Sequence, residues 1–99
     1  MSDELVVFAR FQAIEGQEDA LEAELRKTTA QTRTELGCLF IEFYRSVRDP
    51  RLFFINSRWV DEAVFDVHAA LPSTIAFVER AGRLIDHPFD VTRTKIMAR

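Results

Sequence analysis

The sequence predicts an α+β domain of element order β-α-β-β-α-β. Three observations predict it: a long segment with helical spacing, four short apolar segments with strand character, and a proline that divides the second helical region. Leu5 to Ala13 reads as the first strand. Leu5, Val7, Ala9, Phe11 and Ala13 share one side, and Val6, Phe8, Arg10 and Gln12 share the other. Ile14-Glu15-Gly16-Gln17 connects to a helix predicted over Glu18 to Leu36. Leu21, Leu25, Thr28, Thr32 and Leu36 recur there at helical spacing, with Glu22, Glu24, Lys27 and Arg33 outside the stripe. Gly37 follows the last periodic position, where a left-handed C-cap glycine belongs.

Two strands follow, Cys38 to Ser46 and Leu52 to Trp59, joined by a polar link containing Asp49-Pro50. Their apolar runs are nearly continuous, which predicts cover on both faces. Asp61 is the expected N-cap of a helix reaching about Ala70, with Glu62 in its first turn. Pro72 can open the next helix at its first position, with Ile75, Phe77 (or Ala76), Val78 and Leu84 as its apolar side. After Pro88, Phe89 to Met97 reads as the last strand. This is the split-βαβ, or ferredoxin-like, order: helices cover one face of a four-stranded antiparallel sheet, and the other face needs a partner.

Size and composition narrow the function classes. Ninety-nine residues suit a single domain, 1–99. Nine phenylalanines are many for so small an interior, so part of that area is expected to meet a second subunit or a ligand. The net charge is −3 with both signs scattered, which argues against nucleic acid. No apolar run approaches a membrane span, and the acidic start Met1-Ser2-Asp3-Glu4 is unlike a secretory signal. The lone Cys38 has no intrachain partner, and a reducing cytoplasm is expected.

Beyond the fold, Gly37-Cys38-Leu39-Phe40-Ile41-Glu42-Phe43-Tyr44-Arg45-Ser46, Asp49-Pro50, Trp59-Val60-Asp61-Glu62-Ala63-Val64-Phe65 and His68 form a pattern. It resembles the antibiotic biosynthesis monooxygenase family, whose members read G-C-L-x-Y-E-x-Y-R-S, a D-P turn, then E-x-W-x-D-E-A-x-F-x-x-H. The strand Val6 to Phe11 and Gly16 also fit, so the likeness spans nearly the whole chain. The resemblance implies two subunits packed through their open sheet faces as a dimeric α+β barrel, with a pocket in each between sheet and helices. It further implies oxygenation of small aromatic phenols or quinols by O₂ without flavin, metal or haem. A non-catalytic dimer that binds a small hydrophobic molecule, or a proton-transfer isomerase, remains the alternative. Fold alone does not choose among these.

His68 is the candidate acid/base, with a helix-surface or capping role as its structural alternative. Trp59 could wall a pocket or pack the strand-to-helix corner. Glu42, Tyr44 and Asn56 are candidates to orient substrate, and Phe8, Phe40 and Phe54 to line the pocket with Trp59. Glu42 could instead form a dimer contact with an arginine such as Arg10. Strand alternation leaves open which sheet face carries the pocket. Two departures from the family pattern weigh against catalysis: Ser57 stands where relatives often carry Glu, and Ser73 where many carry a second His. The haem-degrading branch has a helix histidine where this chain has Val78, and an Asn where it has Val6, Val7 or Phe8, so haem is not expected. His87 is the only other imidazole, and no metal-ligand cluster can be assembled.

Overall fold

The computed structural model describes residues 3–99; Met1 and Ser2 of the acidic start lie outside the described residues. The elements are β1 (Leu5–Gln12), α1 (Glu18–Thr32), β2 (Cys38–Arg45), β3 (Leu52–Trp59), α2 (Glu62–Ala70), α3 (Pro72–Gly82) and β4 (Asp90–Thr94). The four strands form one antiparallel sheet in the order β2-β3-β1-β4, the ferredoxin-like arrangement. Val7 lies opposite Ser57 and Arg93, Ala9 opposite Ile55 and Val91, and Ile41 opposite Ser57. Because side chains alternate along a strand, this register puts the odd-numbered positions on one face, except at the start of β2, where an irregularity between Cys38 and Phe40 sets Cys38 opposite Trp59 and leaves Leu39 exposed. The helices cover that face.

The core beneath them falls into two clusters. Ala9, Phe11, Ala13, Leu21, Leu25, Phe53, Phe77, Ala81 and Ile85 form one; Leu5, Val7, Trp59 and Phe65 form the other. Leu21 and Leu25 of α1 are fully buried, each contributing roughly 1.5–3 kcal/mol of transfer free energy. Asp61 caps α2, its carboxylate accepting from the Val64 N–H at 2.9 Å, and Pro72 occupies the first turn of α3.

Several boundaries differ from the sequence expectation. The first helix ends at Thr32, not Leu36. Backbone bonds of three-residue span, Thr34 N to Gln31 O and Glu35 N to Thr32 O, tighten the chain after it, and the Thr34 hydroxyl also bonds the Gln31 carbonyl. Leu36 therefore leaves the stripe and is 97% exposed. Gly37 does adopt the left-handed conformation, with φ 88°, but ends this turn and not the helix. On α3 the buried positions are Phe77 and Ala81, while Ile75 and Val78, expected on its apolar side, are exposed. The last strand spans Asp90–Thr94 alone, and Met97 is exposed beyond it. Cover on both faces is not provided within the chain: the even-numbered face carries no helix.

Candidate active site

A cavity of about 260 Å³ lies between the sheet and the helices, where the two core clusters meet. The sheet supplies Val7, Ala9, Phe11, Ile41, Ile55, Ser57 and Trp59 to its wall; α2 supplies Phe65 and His68; β4 contributes Val91 and Arg93. Most of this wall is apolar. Its polar groups are few: the threonines 28, 32 and 74, Ser57, His68 and Arg93.

His68 reaches the cavity because α2 is capped at Asp61, one helical segment earlier, immediately after β3 ends at Trp59. Three rings then pack together. The Trp59 and His68 centroids are 4.7 Å apart, Trp59 and Phe65 meet edge to face at 5.4 Å, and Phe65 and His68 lie 5.5 Å apart. The indole N–H of Trp59 donates to the Ser57 hydroxyl at 3.0 Å, both residues being buried. Ser57 thus orients the wall of the cavity instead of supplying a carboxylate to it.

The imidazole is oriented from outside its own helix. Its Nδ1 lies 2.8 Å from a carboxylate oxygen of Glu35 and 3.4 Å from the Thr74 hydroxyl. A carboxylate only accepts, so the proton is assigned to Nδ1 and the acceptor lone pair to Nε2, which no described residue engages. Both side chains are largely shielded, 14% and 18% exposed for His68 and Glu35, so the pair is screened less than a surface one.

Glu35 sits in the turn between α1 and β2, and Gly37 explains how that turn comes so close to α2. A Cβ on Gly37 would lie 2.4 Å from a methyl of Val64, so only glycine admits this approach. Sequence reading pointed to His68 but not to Glu35, because a glutamate in a polar turn carries no periodic signal. Thr74 on α3 and Arg93 on β4 belong to no motif and to no apolar pattern, so the sequence did not point to them either.

Of the residues to which the sequence drew attention, the fold brings His68 and Trp59 to the cavity. It does not bring Phe8, Phe40, Glu42, Tyr44, Phe54 or Asn56 there, since all occupy even-numbered strand positions on the opposite face. They form a patch of their own. Glu42, Asn56 and Phe8 lie side by side across β2, β3 and β1, and Tyr44, Phe54 and Arg10 form the next row. Glu42 accepts from the Tyr44 hydroxyl at 2.7 Å, a bond within its own strand. Burial first, and then this glutamate, push the Tyr44 phenol above its ordinary range. Cys38 is half-buried at the start of β2, and burial raises its thiol, leaving little thiolate for chemistry. His87 pairs with the neighbouring Asp86, away from the cavity. Among the described residues, no three His, Cys, Asp or Glu side chains gather as metal ligands, and no helix is long and apolar enough to cross a membrane.

Comparison with known proteins agrees with this architecture. Rv0793 from Mycobacterium tuberculosis is 25% identical, with a TM-score of 0.90 and 97% of each chain covered. PA3566 from Pseudomonas aeruginosa is 28% identical, with a TM-score of 0.89, covering 99% of this chain and 98% of that one. SnoaB from Streptomyces nogalater, described as a cofactor-independent oxygenase, is 16% identical with a TM-score of 0.89, covering 99% of this chain and 97% of that one. At that identity the likeness shows the fold alone. No curated protein matches the sequence. The family model for antibiotic biosynthesis monooxygenases matches residues 5–80, and the chain belongs to that family.

Proposed function

We propose that the protein is a cofactor-independent monooxygenase that oxidises a small phenol or quinol with O₂, using His68 as its base. One observation carries this reading: a largely apolar cavity has a single imidazole in its wall, and Glu35 holds the Nδ1 of that ring. With Nδ1 donating, Nε2 is the atom left to take a hydroxyl proton from a bound ring. The phenolate so formed is electron-rich enough to reduce O₂ itself. For a phenol, one oxygen atom becomes a ring carbonyl and the other leaves as water. The four electrons come from the substrate, which ends as a quinone.

The chain's own tasks are then to bind, orient, deprotonate and exclude water. Trp59 offers a flat surface for ring stacking, and Ser57 holds that surface in place. A cavity of about 260 Å³ falls just below the usual range for ligand sites, roughly 300–1,000 Å³, which favours small one- or two-ring compounds. Family membership and the fold shared with SnoaB support the same reading.

The even-numbered face belongs to the proposal as the homodimer contact. Phe8, Phe40, Tyr44 and Phe54 are each 36–47% exposed there, a cluster of exposed rings around Glu42 and Asn56 of the kind that marks association. On this reading Glu42 and Asn56 serve the subunit contact and not the substrate. A cytoplasmic location rests on the unpaired Cys38. A binding protein without chemistry is the second reading, favoured by Ser57, whose hydroxyl is occupied with Trp59 and offers no carboxylate base.

Oxygen uptake by the metal-free protein with a panel of hydroquinones and phenols tests the proposal. The expected result is uptake above autoxidation that falls about a hundredfold or more in His68→Ala, the usual worth of a general base. Glu35→Ala should lower it less. Uptake no faster than autoxidation across the panel would leave the binding reading in its place.

A further inference from the structure

Among the described residues Arg93 is the only arginine or lysine in the cavity wall, yet it is not free to receive an anion. One guanidinium nitrogen lies 2.9 Å from a Glu62 oxygen and 2.7 Å from an Asp66 oxygen, both on the outward side of α2. The guanidinium carbon sits 4.9 Å from the centre of the Phe65 ring, so the clamp straddles the aromatic wall and ties β4 to α2. The other cavity charge is the His68 and Glu35 pair. The ionisable side chains that line the cavity are thus one guanidinium and one imidazole, held by three carboxylates, while Arg33 beside the wall donates to the Ile41 carbonyl. An anionic ligand would meet no unpaired cation among the residues that line the cavity and would have to displace Glu62 or Asp66 from Arg93. A neutral ring compound meets apolar wall, hydroxyls and the His68 imidazole, and displaces no ion pair.

We infer that this clamp makes the cavity selective for uncharged ring compounds over their carboxylated, sulfonated or phosphorylated counterparts, with Glu62 and Asp66 as the specificity-determining residues. The inference rests on the cavity being the substrate site, as proposed above. Specificity of this kind works by repulsion: the carboxylates do little for the right ligand and penalise the wrong one. Glu62 and Asp66 are well exposed, 61% and 60%. The effect should therefore weaken with added salt, as exposed charge interactions do.

Titration calorimetry with a hydroxynaphthamide and the matching hydroxynaphthoate, which differ by little beyond one charge, tests this directly. The wild-type protein should bind the amide about tenfold or more tightly than the carboxylate at low salt, a difference of about 1.4 kcal/mol. The Glu62→Gln, Asp66→Asn double variant frees Arg93, and its affinity for the carboxylate should rise about tenfold while that for the amide holds. Both replaced side chains are exposed and Asp61 still caps α2, so the variant should fold. Equal binding of the two probes by the wild type overturns the selectivity and leaves the substrate site standing. An unchanged preference in the double variant overturns the roles of Glu62 and Asp66. Binding of neither probe overturns the substrate-site reading and the selectivity with it.

Discussion

Phe53 and Phe54 are neighbours in one strand, yet the first is fully buried and the second 36% exposed. The same contrast runs across the whole sheet. Past the irregularity at Leu39, odd-numbered positions lie under the helices and wall the cavity; even-numbered positions form a part-exposed aromatic face over which none of the described helices lies. Both sets are apolar in sequence, so hydrophobicity does not tell them apart. What separates them is the element packed above. The difference teaches that an apolar run alone does not separate strand positions buried within the chain from those left open on its surface, and the cavity lies among the first.

Truncating each phenylalanine breaks the comparison most sharply. Phe53→Ala should cost about 3–5 kcal/mol in denaturant unfolding, because a fully buried ring leaves both lost transfer energy and a cavity. Phe54→Ala should leave unfolding of the isolated subunit within about 1 kcal/mol and instead weaken self-association in sedimentation. Equal losses of stability for the two would show that the outer face is not a separate surface.

A smaller effect is expected inside the cavity wall. Ser57→Ala removes the acceptor of the buried Trp59 N–H, and an unsatisfied buried donor costs about 1–3 kcal/mol. Trp59 is the only tryptophan, so its fluorescence reports the change without interference. A variant with wild-type stability and emission would mean that Ser57 does not hold the ring.

The smallest effect lies on the outer face. Tyr44 is the only tyrosine, and its ionisation can be followed by ultraviolet absorbance. Burial and Glu42 raise its pKa, so the neutral phenol stabilises the fold below the unfolded value of about 10. That contribution is lost as pH rises through the folded value. Glu42→Gln should bring the absorbance midpoint down, and higher protein concentration should move it up if association covers the face. A midpoint independent of both would remove Tyr44 from the contact.

By itself the sequence determined the element order, the hairpin and the Asp61 cap, because periodicity, turn residues and caps act over a few neighbouring positions. It also singled out His68 and Trp59, which stand in a continuous motif. The length of α1 was overextended because Leu36 keeps the helical period while local threonine and turn bonds end the helix at Thr32. The tertiary structure alone decided which sheet face holds the cavity, since strand alternation supplies two faces and the register of helix packing picks one. It alone brought Glu35 to His68 across 33 positions, through an approach that only Gly37 permits, and Arg93 to Glu62 and Asp66 across 31 and 27. Contacts of that separation are set by how whole elements pack, and no local pattern encodes them.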